Sequence, residues 1–162
     1  MALVKAHNRW VILMSFLAAL VAMSYPISTT GIWLRPELIP MLVIYWIMVL
    51  PQQSSILQIW CVGCIQDLLQ GTPLGLHAMA LMVVAYVCLL SYQRMRNYTI
   101  WHQTFFVFVI VGLHQLVDSW VHSLQGSAAQ TLVFLLPAFT SALLWPLLWM
   151  VLERLRVGYR IT

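Results

Sequence analysis

The chain has 162 residues, of which 62% are hydrophobic and only 7% charged, with eight basic and four acidic side chains. A soluble domain carries about a quarter charged residues, so this composition excludes a water-solvated surface and points to an integral membrane protein. The net charge of +4 does not point to nucleic acid, because the basic residues are too few and too scattered to follow a phosphate backbone.

The apolar runs are divided by Pro, Gly and charge. The first, about 10–26, follows Lys5 and Arg9 as a signal peptide would, but Met23-Ser24-Tyr25-Pro26 is a poor cleavage site, so a retained helix is expected. The second, about 32–50, opens on Arg35, Pro36, Glu37 and Pro40 and ends at Pro51. Its uninterrupted part, Met41 to Leu50, is short for a bilayer that needs about 20 helical residues. The others run about 55–71, 74–92, 101–122 and 130–152. Six transmembrane helices in one bundle, an all-α polytopic membrane protein with a single domain over 1–162, is the expected fold. No second half resembles the first, as an inverted-repeat transporter would require.

Six spans put Lys5, Arg9, Arg94, Arg96, Arg154, Arg156 and Arg160 on one side and leave Arg35 on the other. This asymmetry predicts that both termini are cytoplasmic. Those arginines are expected to touch anionic lipids or a cytoplasmic partner.

Charge within the apolar runs is concentrated near the outer side. Asp67 lies about 18 Å and Asp118 about 25 Å from the inner ends of their helices, at 1.5 Å per residue, and Arg35 and Glu37 open the second span. A buried charge needs a partner, water or a lost proton. Arg35 is therefore expected to pair with Asp67 or Asp118, unless each acid reaches headgroups and water. In Asp67-Leu68-Leu69-Gln70-Gly71-Thr72-Pro73-Leu74-Gly75 the glycines have the spacing of a helix-packing face. Pro73 between them favours a tight outer turn, below which Asp67 and Gln70 can satisfy freed N–H groups.

Catalytic signatures are weak. His114, Asp118 and His122 share one helix face but rise about 12 Å, too far for one metal ion. Cys61 and Cys64 form C-x-x-C in mid-helix, and only Cys88 remains for the second pair that a membrane thiol oxidase needs. Two buried aspartates suggest proteolysis, yet the G-x-G-D of intramembrane aspartyl proteases and the Asn-rich motifs of lipoprotein signal peptidases are missing, as are serine-hydrolase, zincin and phosphate-loop patterns. No enzyme activity, cofactor or metal is expected.

The ordered set of motifs resembles the MreD family of rod shape-determining membrane proteins over nearly the whole chain. It comprises Arg9-Trp10-Val11-Ile12, Arg35-Pro36, Tyr45-Trp46, and a D-L-x-x-G-x-x-L-G pattern met by Asp67, Leu68, Gly71, Leu74 and Gly75. Tyr92-Gln93, Asn97, Trp101, Gln103, Asp118 and Trp145-Pro146 follow. His77, His114 and His122 are outside the pattern. The resemblance implies a non-enzymatic scaffold in the bacterial inner membrane. Such a scaffold binds the single-span protein MreC and, directly or through it, MreB filaments, RodA and a penicillin-binding transpeptidase. It also implies a bundle similar to the substrate-binding components of energy-coupling-factor transporters. The competing expectation is a small-solute or lipid-binding transporter component, which would line its cavity with several directed polar groups.

Overall fold

In the computed structural model, residues 9–24, 34–52, 54–124 and 135–159 are described. Among them the regular structure is six α-helices and no strand: α1 Arg9–Ser24, α2 Leu38–Val49, α3 Ile56–Gln70, α4 Leu76–Met95, α5 Ile100–Leu124 and α6 Leu136–Gly158. Three are long and apolar enough to cross a membrane, namely α4, α5 through Val121, and α6, whereas α1, α2 and α3 are shorter apolar helices.

The shortest helix is the centre of the bundle. α2 buries every residue from Ile39 to Met48, and α1, α4, α5 and α6 all pack on it. A helix that is apolar on every side belongs in the interior, which explains why its sequence shows no polar stripe. Its 12 residues span about 18 Å, as the short apolar core had suggested. Buried Tyr45, Trp46 and Trp145 fill the middle. Trp46 Nε1 donates to Ser15 Oγ at 3.0 Å and Tyr45 Oη donates to Glu153 Oε2 at 3.0 Å, so the polar atoms of these two rings also find partners. Around this core, α1, α3, α5 and α6 turn Leu13, Leu57, Trp101, Phe105 and Leu143 outward, the surface a membrane protein presents to lipid.

Hydrogen bonds fix the directions. Glu37 meets Ser141 and Tyr45 meets Glu153, so α2 and α6 run parallel. His77 at the start of α4 faces Asp118 near the end of α5, so these two are antiparallel. Arg94, Arg96, Arg154 and Arg156 thereby share one end of the bundle and Arg35 sits at the other. Lys5 and Arg160, and the side chains of Arg9 and His122, lie outside the described residues.

Two helix ends differ from expectation in an instructive way. α4 continues through Arg94 to Met95, and α6 through Arg154 and Arg156 to Gly158, because long basic side chains reach polar surroundings while their helix continues. At the other end of α6, Pro137 occupies the first turn, where the missing N–H has no helical partner to lose. Residues 25, 26, 32, 33 and 130–134 of the expected spans are outside the described set.

The close approach of α3 and α4 comes from a glycine that the pattern did not single out. A Cβ on Gly63 would collide with the Ala78 backbone, while nothing approaches the Cβ positions of Gly71 and Gly75. Those two carry φ of 68° and 99°, a region that residues with a Cβ rarely enter. The turn expected between spans three and four is present, and small-residue packing occurs lower in α3.

Candidate functional site

Asp67 is the keystone of the α3–α4 turn. Gly71 ends α3 in a left-handed conformation, and Thr72 N–H returns to the Asp67 carbonyl. The Asp67 carboxylate is fully buried yet accepts from Thr72 Oγ1 at 3.0 Å, Gly75 N at 2.8 Å, His77 N at 3.0 Å and His77 Nδ1 at 2.8 Å. The first turn of a helix leaves N–H groups without intrahelical acceptors, and a negative group there interacts favourably with the helix dipole. Asp67 supplies both to α4 from the preceding helix, as the sequence had suggested for freed N–H groups. The expected pairing of Asp67 with Arg35 is corrected. His77 occupies that role, and the Arg35 guanidinium donates to the Ala22 carbonyl, tying the approach to α2 onto α1.

His77 extends the network to α5. Its Nε2 is 3.9 Å from Asp118 Oδ1, and its ring centroid is 6.2 Å from that of buried His114. Glu37 completes the cluster from α2. Its backbone N donates to Ser141 Oγ at 2.8 Å, Ser141 Oγ donates to the Pro137 carbonyl at 2.6 Å, and Gln115 Nε2 donates to Glu37 Oε1 at 2.9 Å. Asp67, His77, Asp118, Glu37, Gln115 and Ser141 therefore join α2, α3, α4, α5 and α6 at the end that bears Arg35, opposite Arg94, Arg96, Arg154 and Arg156. Of the site residues expected from sequence, Asp67, Gly71, Gly75 and Asp118 come together here. Arg35 points to α1 instead. Glu37, His77, Gln115 and Ser141 were missed as members, although the Arg35-Pro36-Glu37 opening and a His directly beyond the turn were the available signals.

Chemically the cluster can hold protons and clamp helices. Among the described residues no group of three or more His, Cys, Asp or Glu has the arrangement of a metal site. Cys61, Cys64 and Cys88 are free thiols, exposed, half-buried and buried in turn.

A cavity of about 490 Å³ opens between α1, α2 and α3. Its wall includes Ile12, Phe16, Val43, Trp46, Leu57 and Val62, with Ser54 and Gln58 among its few polar groups.

A family model described as rod shape-determining protein MreD matches residues 4–155. The chain belongs to the MreD family. A relative, the rod shape-determining protein MreD of Haemophilus influenzae, is 29% identical over 123 residues, covering 76% of each chain. No solved structure matches significantly. In the MreD pattern read from the sequence, the acid and the two glycines build the turn, while Leu68 and Leu74 are 68% and 70% exposed and face away from the bundle.

Proposed function

We propose that this MreD-family protein is a non-enzymatic scaffold of the cell-elongation machinery. All six helices lie across the cytoplasmic membrane, with the arginine-bearing end inside. It holds the transmembrane segment of MreC and, through it, helps couple MreB filaments to RodA and a penicillin-binding transpeptidase. The observation that carries this reading is the cavity between α1, α2 and α3, whose wall is mostly apolar. It suits the side chains of a membrane helix, and side-by-side helix packing in lipid is driven by such contacts. Asp67, Glu37 and Tyr45 tie the bundle's own helices to one another. Central α2, buried from Ile39 to Met48, forms the floor of this cavity through Val43 and Trp46, while α1 and α3 supply its exposed rims.

The test is site-directed crosslinking with Cys61, Cys64 and Cys88 replaced by Ala. Cysteines at Leu13, Leu57 and Ile65, which line this cavity and are exposed, should crosslink to the MreC transmembrane segment. One at Leu143, exposed on α6, should not. Crosslinks confined to Leu143 would place MreC elsewhere, and none at any position, with no co-purification, would end the scaffold reading.

A further inference from the structure

A second cleft lies at the arginine-bearing end, between the start of α5 and the last turns of α6. It has a volume of about 800 Å³, and its wall includes Ile100, Pro146, Trp149, Met150, Arg154 and Val157. Pro146 sits within α6 and cannot donate to the Ala142 carbonyl; the cleft runs from its turn toward the helix end. Trp149 is held in place by its rings' neighbours, 5.1 Å from Tyr45 and 5.8 Å from Trp145, so one wall is preformed and flat.

The charges on this wall are not balanced. Glu153 also lines it, but its carboxylate is taken up internally, by the Tyr45 hydroxyl at 3.0 Å and Arg156 at 2.7 Å. Arg154 is exposed and makes no hydrogen bond or ion pair with any described residue. A mostly apolar, open groove beside a cation that has no partner among the described residues is complementary to an anionic amphiphile. The geometry points to a site for a single anionic phospholipid, whose phosphate meets the Arg154 guanidinium while an acyl chain lies along Trp149, Met150 and Pro146. Guanidinium is well suited to phosphate through paired N–H donors. Assignment of the lipid to the cytoplasmic leaflet rests on the topology proposed above; the selectivity for an anionic headgroup does not.

The experiment is native mass spectrometry of the full chain in mild detergent, titrated with phosphatidylglycerol and phosphatidylethanolamine of identical acyl chains. One phosphatidylglycerol should be retained in preference to phosphatidylethanolamine. Arg154→Gln should lower its retention by roughly fivefold, and Arg154→Lys should restore most of it. Val157→Trp, which fills the trough and leaves Arg154 intact, should also remove it, so the proposal stays testable if one variant folds poorly. Arg94→Gln should leave retention unchanged. Equal retention of both lipids, unaltered retention in Arg154→Gln and Val157→Trp, or an equal loss in Arg94→Gln would overturn the site.

Discussion

Asp67 Oδ1 stands 2.8 Å from His77 Nδ1 across the turn that joins α3 to α4, and both residues are buried. The same carboxylate caps the Gly75 and His77 amides, so the pair is a hairpin clasp. Asp67→Ala would orphan several buried donors, each costing about 1–3 kcal/mol. We expect Asp67→Ala to lower the thermal unfolding midpoint strongly and to raise amide exchange at the start of α4. Asp67→Asn should do so less, because its side-chain carbonyl still accepts. Equal stability of the three proteins, measured in one detergent, would contradict the clasp.

The contact of Gly63 with Ala78 gives a second, steric prediction. Gly63→Leu forces α3 and α4 apart and should destabilise by about 1–3 kcal/mol, the usual cost of overpacking. Gly63→Ala should be milder but still destabilising, because its Cβ meets the Ala78 backbone, which no side-chain replacement removes. Unfolding midpoints of the native chain and the two variants in one detergent check this. A Gly63→Leu chain as stable as the native one would argue against the close approach.

Glu37 ties the start of α2 to α5 and α6 through Gln115 and Ser141. Glu37→Ala should leave Gln115 without its acceptor and loosen α2 from α5, at a cost of about 1–3 kcal/mol, while the backbone N–H of residue 37 still reaches Ser141. Ser141→Ala should loosen α2 from α6 instead. Hydrogen exchange should localise the first change to the Glu37 end of α2 and to α5, the second to the Glu37 end of α2 and the start of α6, and both should spare the Tyr45–Glu153 end.

At the other face of α2, Ser15→Ala would remove the acceptor of the buried Trp46 Nε1–H. We expect a shift in tryptophan emission and faster exchange in α1, with little change in α5 and α6. Ser15→Thr, which keeps a hydroxyl, should preserve the native spectrum.

The parts of this fold that were legible in the sequence are those set by local chemistry. Pro and Gly marked helix boundaries where charge did not, since α4 and α6 run on through their arginines; the turn at residues 71–75 followed from Pro73 and two glycines, and among the described basic residues Arg94, Arg96, Arg154 and Arg156 lie at one end and Arg35 at the other. Asp67 stood out because an acid in an apolar run is costly. Its partner did not, because opposite charge suggested Arg35, while chain reversal brings His77 within reach only ten residues later. Gly63 was hidden for the same reason: which small residue meets a neighbouring helix depends on how two helices rotate, not on spacing within one. Glu37 joins Gln115 and Ser141 across 78 and 104 residues of sequence, a juxtaposition that no local pattern encodes.

The central claim is that the bundle exists to hold another protein's membrane helix. The most direct measurement is purification of the tagged full chain, in a mild detergent and from cells that also produce MreC, followed by native mass spectrometry of the intact assembly. The account predicts a stoichiometric complex with MreC that is weakened when the cavity between α1, α2 and α3 is filled, for example by Val62→Trp. Recovery of a stoichiometric small molecule in place of any partner protein would contradict it.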